Sequence, residues 1–259
     1  MALPLANKRI LVTRPKGQAE ELVLSLKALG ADPVVLPAIV ILPPQDWRPV
    51  DEAIADLPRF DWVVFTSVNG VRHFVGRMET LGVPVSTLAQ RKLAAIGPAT
   101  ARALVRVCRP PDVVPEQFLS DALPDALPCV QGLRILLPRA DIARKEMARE
   151  LQRRGAQVAE VAVYRVQQET GVDPVAISNL PTPDLITLTS PSAARSLAKM
   201  LEESGRADWL AQVPIICIGP ITADAVRELG YQPARVATEH TMQGLVQAIL
   251  DEVNYHAYP

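Results

Sequence analysis

Two doubly wound α/β domains built by internal duplication are the fold that the sequence predicts, and three observations carry it. Short apolar strands alternate with helical periods along the chain, the same order of strand, turn and helix occurs twice, and the two occurrences keep register over most of the 259 residues. Such alternation belongs to a mostly parallel sheet covered by helices on both faces, the flavodoxin-like arrangement.

The first copy opens with a strand at Arg9 to Thr13 and a helix from about Gly17 to Leu29, in which Leu22, Leu26 and Leu29 keep helical spacing and Gly30 supplies the stop. A long strand, Pro33 to Leu42, comes next. The second copy has a strand at Arg134 to Leu137, a helix at Ile142 to Arg153 with Met147 and Leu151, a stop at Gly155 and a strand at Val158 to Val166. Arg9 to Arg134 and Gly30 to Gly155 are the same shift of 125, with LVTRP facing LLPRA. FDWVVFTSVNGV at Phe60 to Val71 then faces PDLITLTSPSAA at Pro183 to Ala194, and AAIGPATARAL at Ala94 to Leu104 faces ICIGPITADAV at Ile216 to Val226. One such match between apolar strands is ordinary, but several in order, each with its turn residues, indicate duplication.

Pro33 to Leu42 and Val158 to Val166 each connect an opening strand and helix to the remainder of their copy, so both read as crossover strands linking two domains. If the chain crosses at both, one domain is discontinuous, residues 1–36 with 167–259, and the other is contiguous, residues 37–166. The active site is then expected in the cleft between them. Finding Arg9 to Thr13 in one sheet with Val63 to Phe65 would contradict this division. The tail Asn254 to Pro259 has no counterpart in the first copy and reads as disordered.

Composition narrows the function classes. No stretch approaches the roughly 20 apolar residues of a membrane span, and Lys8 and Arg9 precede an apolar run that Thr13 and Arg14 cut short, unlike a secretory signal. A cytoplasmic protein with no membrane partner is expected. Cys108, Cys129 and Cys217 lack CxxC spacing, and His73, His240 and His256 lie far apart, so neither disulfides nor a local metal motif are expected. A formal net charge of −1 argues against nucleic acid as a partner, while leaving room for a local basic cleft that takes a small anion.

Ligands of open parallel sheets sit at the carboxyl ends of strands. Thr13 to Lys16, Arg139 to Arg144, Thr66 to Asn69 and Thr189 to Ser192 end strands in this way, and Gly97 to Thr100 and Gly219 to Thr222 have the form Gly-Pro-x-Thr after an apolar strand. Proline suits the first helical turn, a threonine can cap, and the amides of such an N-terminus receive anions. Taken singly, each Ser or Thr is an ordinary cap. Six loops in two symmetric halves, with Arg14, Arg139 and Arg144 among them, suggest instead a small polyanionic ligand. GxGxxG, GxxxxGK[ST] and GxSxG motifs are absent. Tyr164, in VYRV of the second crossover strand, is placed to put its hydroxyl into the cleft, although residue type alone favours a structural tyrosine.

ILVTRP, FTSVNGV, AIGPATA, PEQFLSDAL, ILLPRA, GAQVAEVAVYR, LTSPSA and CIGPITA together resemble the uroporphyrinogen-III synthase (HemD) family in order and spacing over nearly the whole chain. Cys108 and Arg109 depart from it where a glycine commonly follows the helix, and Ile221 stands where the second Gly-Pro motif often has Thr. The resemblance implies a cofactor-free enzyme that cyclises hydroxymethylbilane, a linear tetrapyrrole bearing eight carboxylates, with inversion of ring D and loss of water; a monomer is expected. It implies Tyr164 as the residue that assists departure of the hydroxyl. It carries over Thr66, Ser67, Thr100, Thr189, Ser190, Ser192 and Thr222 as binding positions by their places in its motifs, and the strand-end loops add Arg14, Asn69, Gly97, Arg139, Arg144 and Gly219 to the expected substrate contacts. The rivals are a non-catalytic two-domain protein that binds or senses a small anion, and a nucleotide-dependent transferase. The missing phosphate loop weighs against the second.

Overall fold

The computed structural model describes residues 3–115 and 123–257, with the side chains of 256 and 257 left aside. Most of PEQFLSDAL, residues 116–122, therefore lies outside the described residues. Ten strands occur among those described: β1 (Arg9–Val12), β2 (Asp32–Val35), β3 (Ile39–Leu42), β4 (Trp62–Phe65), β5 (Lys92–Ala95), β6 (Arg134–Ala140), β7 (Gln157–Gln168), β8 (Leu185–Leu188), β9 (Ile215–Cys217) and β10 (Arg235–Val236). The chain divides into two compact units, Met1–Val40 with Gln167–Pro259, and Ile41–Val166, and both divisions fall inside strands, β3 and β7.

The first unit holds a parallel sheet in the order β10-β9-β8-β1-β2. Counted along the unit this is 2-1-3-4-5, the flavodoxin-like winding. Period-two alternation sends its strand residues to opposite faces. Ile10 and Val12 pack with Leu22 and Leu26 of the helix Lys16–Ala28 and with Leu245 and Ile249 of the helix Met242–Ala257. Leu11, Ile186 and Leu188 pack against Leu197 of the helix Pro191–Glu203 and Val226 of the helix Pro220–Glu228.

The second unit holds the sheet β3-β7-β6-β4-β5, whose inner run β7-β6-β4-β5 is parallel and reproduces the 2-1-3-4 part of that winding. Val63 and Phe65 of β4 and Leu136 of β6 meet Phe74 of the helix Val68–Thr80 and Leu104 of the helix Pro98–Val107. Trp62, Val64, Ile135 and Leu137 meet Met147 and Leu151 of the helix Glu146–Arg153 on the other face. Thus β1 lies beside β8, and β4 lies between β5 and β6.

Gly30 and Gly155 close the equivalent helices of the two copies at φ of +91° and +87°, a conformation that glycine adopts without steric cost. Where the departure at Cys108 put a turn in question, the helix Pro98–Val107 ends on that residue at φ −145° and needs no glycine. Arg109 ties the exit by donating to the carbonyls of Ala89 and Arg91 and to the Asp112 carboxylate.

Several element boundaries are corrected. Pro33 to Leu42 is not one strand: β2 and β3 are separated by Leu36–Ala38 and belong to different sheets, with Pro37, which has no N–H for a ladder, at the break. The helix expected from Ile142 begins only at Glu146. Arg139 takes the Arg144 carbonyl at 2.6 Å, and Ile142 is 54% exposed, so no burial draws residues 141–145 into a helix. The tail is also corrected through residue 257, because the amphipathic helix Met242–Ala257 carries the chain that far; residues 258–259 lie outside the described ones.

Candidate active site

The strand order reverses between β6 and β4 in the second unit and between β1 and β8 in the first. At such points loops diverge to opposite faces and open a crevice at the carboxyl ends. Most of the residues predicted from sequence gather at these two places.

In the second unit β4 gives way to Thr66 and Ser67, both half-buried. Ser67 is extended (φ −162°, ψ 156°), and its Oγ caps the helix Val68–Thr80 by accepting the Gly70 N–H at 2.9 Å. Asn69, partly buried, sits in the first turn. Gly70 is required by close approach, since a Cβ there would stand 2.9 Å from the Pro138 carbonyl oxygen of β6 and 3.3 Å from Ser67 Oγ. Gly70→Ala is accordingly expected to destabilise this unit by about 1 to 3 kcal/mol in urea titration. A variant as stable as the parent would contradict so tight a contact.

Tyr164 reaches this point from β7. Leu137 through Arg139 pair regularly with Glu160 through Ala162, but Ala140 pairs with Tyr164, a bulge that adds one residue to β7. Strict alternation would separate Tyr164 from Val161 and Val163, yet all three join one core cluster. The tyrosine is only 7% exposed, and its hydroxyl lies 3.0 Å from Ser67 Oγ, with either group able to donate. Burial pushes the phenol above its usual pKa of 10; the Ser67 hydrogen bond opposes this, Asp141 adds to it and Arg139 subtracts. The phenol is therefore protonated at neutral pH. His73, on the same helix as Gly70, stacks on its ring at 5.6 Å between centroids and 23° between planes. Burial, then the neighbouring Arg72, lower the imidazole below its usual pKa of 6.5, so it is neutral at pH 7.

Arg139 is 7% exposed and committed to the protein: it donates to Glu160 at 2.9 Å and to the Arg144 carbonyl. Lys145 reaches the other Glu160 oxygen at 3.2 Å. What Arg139 supplies to the strand end is a shaped loop and a field on Tyr164 more than an open anion site, while the Arg144 side chain is exposed. At the next strand end, Gly97 is the cap of Pro98–Val107 and no side chain caps it. Thr100, which could have served as that cap, is instead inside the helix and 4% exposed. The first-turn amides of that helix thus face outward without a side-chain acceptor.

The first unit repeats the frame without the tyrosine. Ser190 caps Pro191–Glu203 in the same extended conformation as Ser67, accepting the Ala193 N–H at 3.1 Å, with Thr189 and Ser192 half-buried on either side of the cap and its proline. Gly219 caps Pro220–Glu228 without a side chain, and Thr222, like Thr100, is buried within its helix. A Cβ on Gly219 would meet the His240 ring at 3.1 Å. Arg14 bends back to donate to the Gln18 carbonyl at 2.8 Å and approaches Met242 Sδ at 3.2 Å. Burial lowers its pKa, partly offset by Glu21.

His73, Glu160 and Thr187 carried no functional reading in the sequence. His73 shows itself only as a position one turn beyond Gly70, and Glu160 only as a lone acid in an apolar strand. Thr187 and Thr13 exchange hydroxyls for backbone across β8 and β1, donating to Leu11 and Thr187 carbonyls at 2.9 and 2.8 Å, which satisfies both buried groups.

The family model described as uroporphyrinogen-III synthase HemD matches residues 20–247. The uroporphyrinogen-III synthase of Synechococcus elongatus is 32% identical over 253 residues, covering 95% of this chain and 96% of its own length. That of Escherichia coli is 26% identical over 245 residues, covering 93% and 99%. Among solved structures, a mutant uroporphyrinogen III synthase from the extremely thermophilic bacterium Thermus thermophilus superposes with a TM-score of 0.67 at 21% identity, covering 96% of this chain and 99% of that one, a likeness of fold. With the family pattern running through both units and a relative at 32% identity matched nearly end to end, this chain belongs to the uroporphyrinogen-III synthase family.

Proposed function

We propose that this chain closes hydroxymethylbilane to uroporphyrinogen III, inverting ring D and releasing water, as a step of tetrapyrrole biosynthesis. The observation that carries the chemical reading is the buried Tyr164 hydroxyl, held by Ser67 at a strand end and kept protonated by its surroundings. Ser67 Oγ already accepts the Gly70 N–H, so its own hydrogen is available to the phenol oxygen. In that arrangement the phenol proton points outward, toward the hydroxyl of the substrate, and each bond polarises the next. Tyr164 gives this proton to the departing hydroxyl, which leaves as water, and recovers one before the next turnover. The azafulvene left behind is electrophilic. Attack by the substituted carbon of ring D gives a spiro intermediate that rearranges before closure.

Most of this reactivity belongs to the substrate, and the protein's contribution is orientation. Eight carboxylates call for many weak anion sites, and the helix N-termini beginning at Val68, Pro98, Pro191 and Pro220 supply amides whose number outweighs any single side chain. Thr66, Ser67, Asn69, Thr189, Ser190 and Ser192 add hydroxyl or amide groups beside them; Arg144 adds an exposed positive charge, while Arg139, paired with Glu160, and Arg14, turned back on Gln18, shape their loops. Gly97 lets the substrate approach the backbone, Gly219 makes room for the His240 ring beside its helix start, and Thr100 and Thr222 set the helices on which those amides sit. No cofactor is part of the proposal. A cytoplasmic enzyme acting as a monomer is, and unpaired Cys108, Cys129 and Cys217 support a reducing compartment. No helix among the described residues is long and apolar enough to cross a membrane. A non-catalytic anion-binding role is disfavoured, because the relatives are named as synthases.

The test is to incubate the purified protein with hydroxymethylbilane, oxidise the products and separate the isomers. Uroporphyrinogen III is expected; exclusive formation of the spontaneously produced I isomer would end the proposal.

A further inference from the structure

One titratable side chain beside Tyr164 has no part in the chemistry above. His73 and Ser67 both belong to the start of the helix Val68–Thr80, and they hold the tyrosine in different ways. Ser67 meets the phenol oxygen at 3.0 Å, whereas the His73 ring lies along the phenol face, 5.6 Å between centroids and 23° from parallel. The Cβ–Cγ bond runs in line with the phenol oxygen, so the hydrogen bond to Ser67 holds the oxygen but does not by itself set the plane of the ring. A flat partner on its face sets that plane.

We propose that His73 is a positioning residue for Tyr164, its ring fixing the plane of the phenol and with it the direction of the O–H, which lies in that plane, toward the leaving group. This rests on the reading of Tyr164 as the proton donor. His73 is only partly buried and carries no hydrogen bond among those described, so its contact with Tyr164 is the interaction that accounts for its placement. The charged neighbours on this corner are Arg72 on the same helix and Asp141 and Arg139 at the end of β6. An uncharged ring at position 73 adds no further field to the phenol. The role is thus one of shape, and another flat ring should fill it.

The experiment compares His73→Leu, His73→Gln and His73→Phe in steady-state conversion of hydroxymethylbilane, with Tyr164→Phe assayed alongside and thermal midpoints recorded. The non-aromatic variants are expected to lose about tenfold in kcat with little change in KM, the size of effect that small misplacements of a reacting group produce. His73→Phe should recover most of that loss, at thermal midpoints that do not track the activities. Wild-type kcat in both His73→Leu and His73→Gln would overturn the inference. So would a His73→Phe variant no better than those two, or a loss confined to KM. Having two non-aromatic variants keeps the comparison available if one fails to fold. Wild-type activity in Tyr164→Phe would sink the underlying reading of the acid, whereas an impaired Tyr164→Phe beside fully active His73→Leu and His73→Gln would sink only the role of His73.

Discussion

Tyr164→Phe is expected to lower kcat for uroporphyrinogen III formation by about 10²-fold, the lower end of what a positioned general acid contributes. The ring, its stack on His73 and its place in the core all survive the change, so thermal stability should fall little and the loss should lie in kcat. The pH dependence has a definite sign. The active form is the protonated phenol, and its pKa is raised by burial, so this group's contribution persists through neutral pH and disappears only as pH rises past about 10. A rate limb attributable to the tyrosine below about pH 8 would contradict the geometry. Because backbone amides cannot be removed by side-chain substitution, Thr222→Ala should be much milder. A Tyr164→Phe enzyme at wild-type rate beside an impaired Thr222→Ala enzyme would place the chemistry elsewhere.

Phe74→Ala is expected to destabilise the unit Ile41–Val166 by about 3 to 5 kcal/mol, the usual cost of truncating a fully buried phenylalanine. Phe74 has no exposed surface and packs edge-on against Phe65, the last residue of β4, at 5.9 Å between ring centroids. That contact fastens the helix Val68–Thr80 to the strand leading into Ser67, so the loss should reach the site as well as the core. Hydrogen exchange measured by mass spectrometry should show deprotection over residues 62–80, with the strands β1, β8 and β9 protected as before. Equal deprotection of both units, or none, would contradict a local role. Separate measurement of the two units matters because a two-unit chain need not unfold as one cooperative transition.

The duplication bears on the mechanism through its imperfection. Ser67 and Ser190 cap their helices in nearly the same backbone conformation, and Gly97 and Gly219 do likewise. The anion-receptive frame is therefore present twice. The tyrosine is present once: at the shift of 125 that relates Gly30 to Gly155, Ile39 stands opposite Tyr164 in the first copy. Gly70 and His73 have Ala193 and Ser196 as their counterparts at the shift of 123 that relates these helices. On the proposed reading, symmetry offers helix N-termini to carboxylates in both halves, and asymmetry concentrates proton transfer in one.

The sequence by itself determined the features that short-range rules govern. Buried strands are announced by runs such as WVVF and LITL, helix starts by Ser67, Ser190 and the Gly-Pro pairs, and helix stops by Gly30 and Gly155. All of these follow from local sterics and hydrogen bonding, and the repeat of their order was enough to predict the winding, whereas Tyr164 stood out only by its place in the second crossover strand and by the resemblance to a known family. Only the tertiary structure decided how those pieces make a site. The break at Leu36–Ala38 exists because β2 and β3 pair with different sheets, and the bulge between Ala140 and Tyr164 arises from the pairing of β6 with β7. Glu160 occupies Arg139, and His73 lies against Tyr164, through contacts between residues far apart in the chain. Hydrophobic periodicity states which face a residue presents but not which neighbour that face meets, and the neighbour is what sets a pKa and aims a proton.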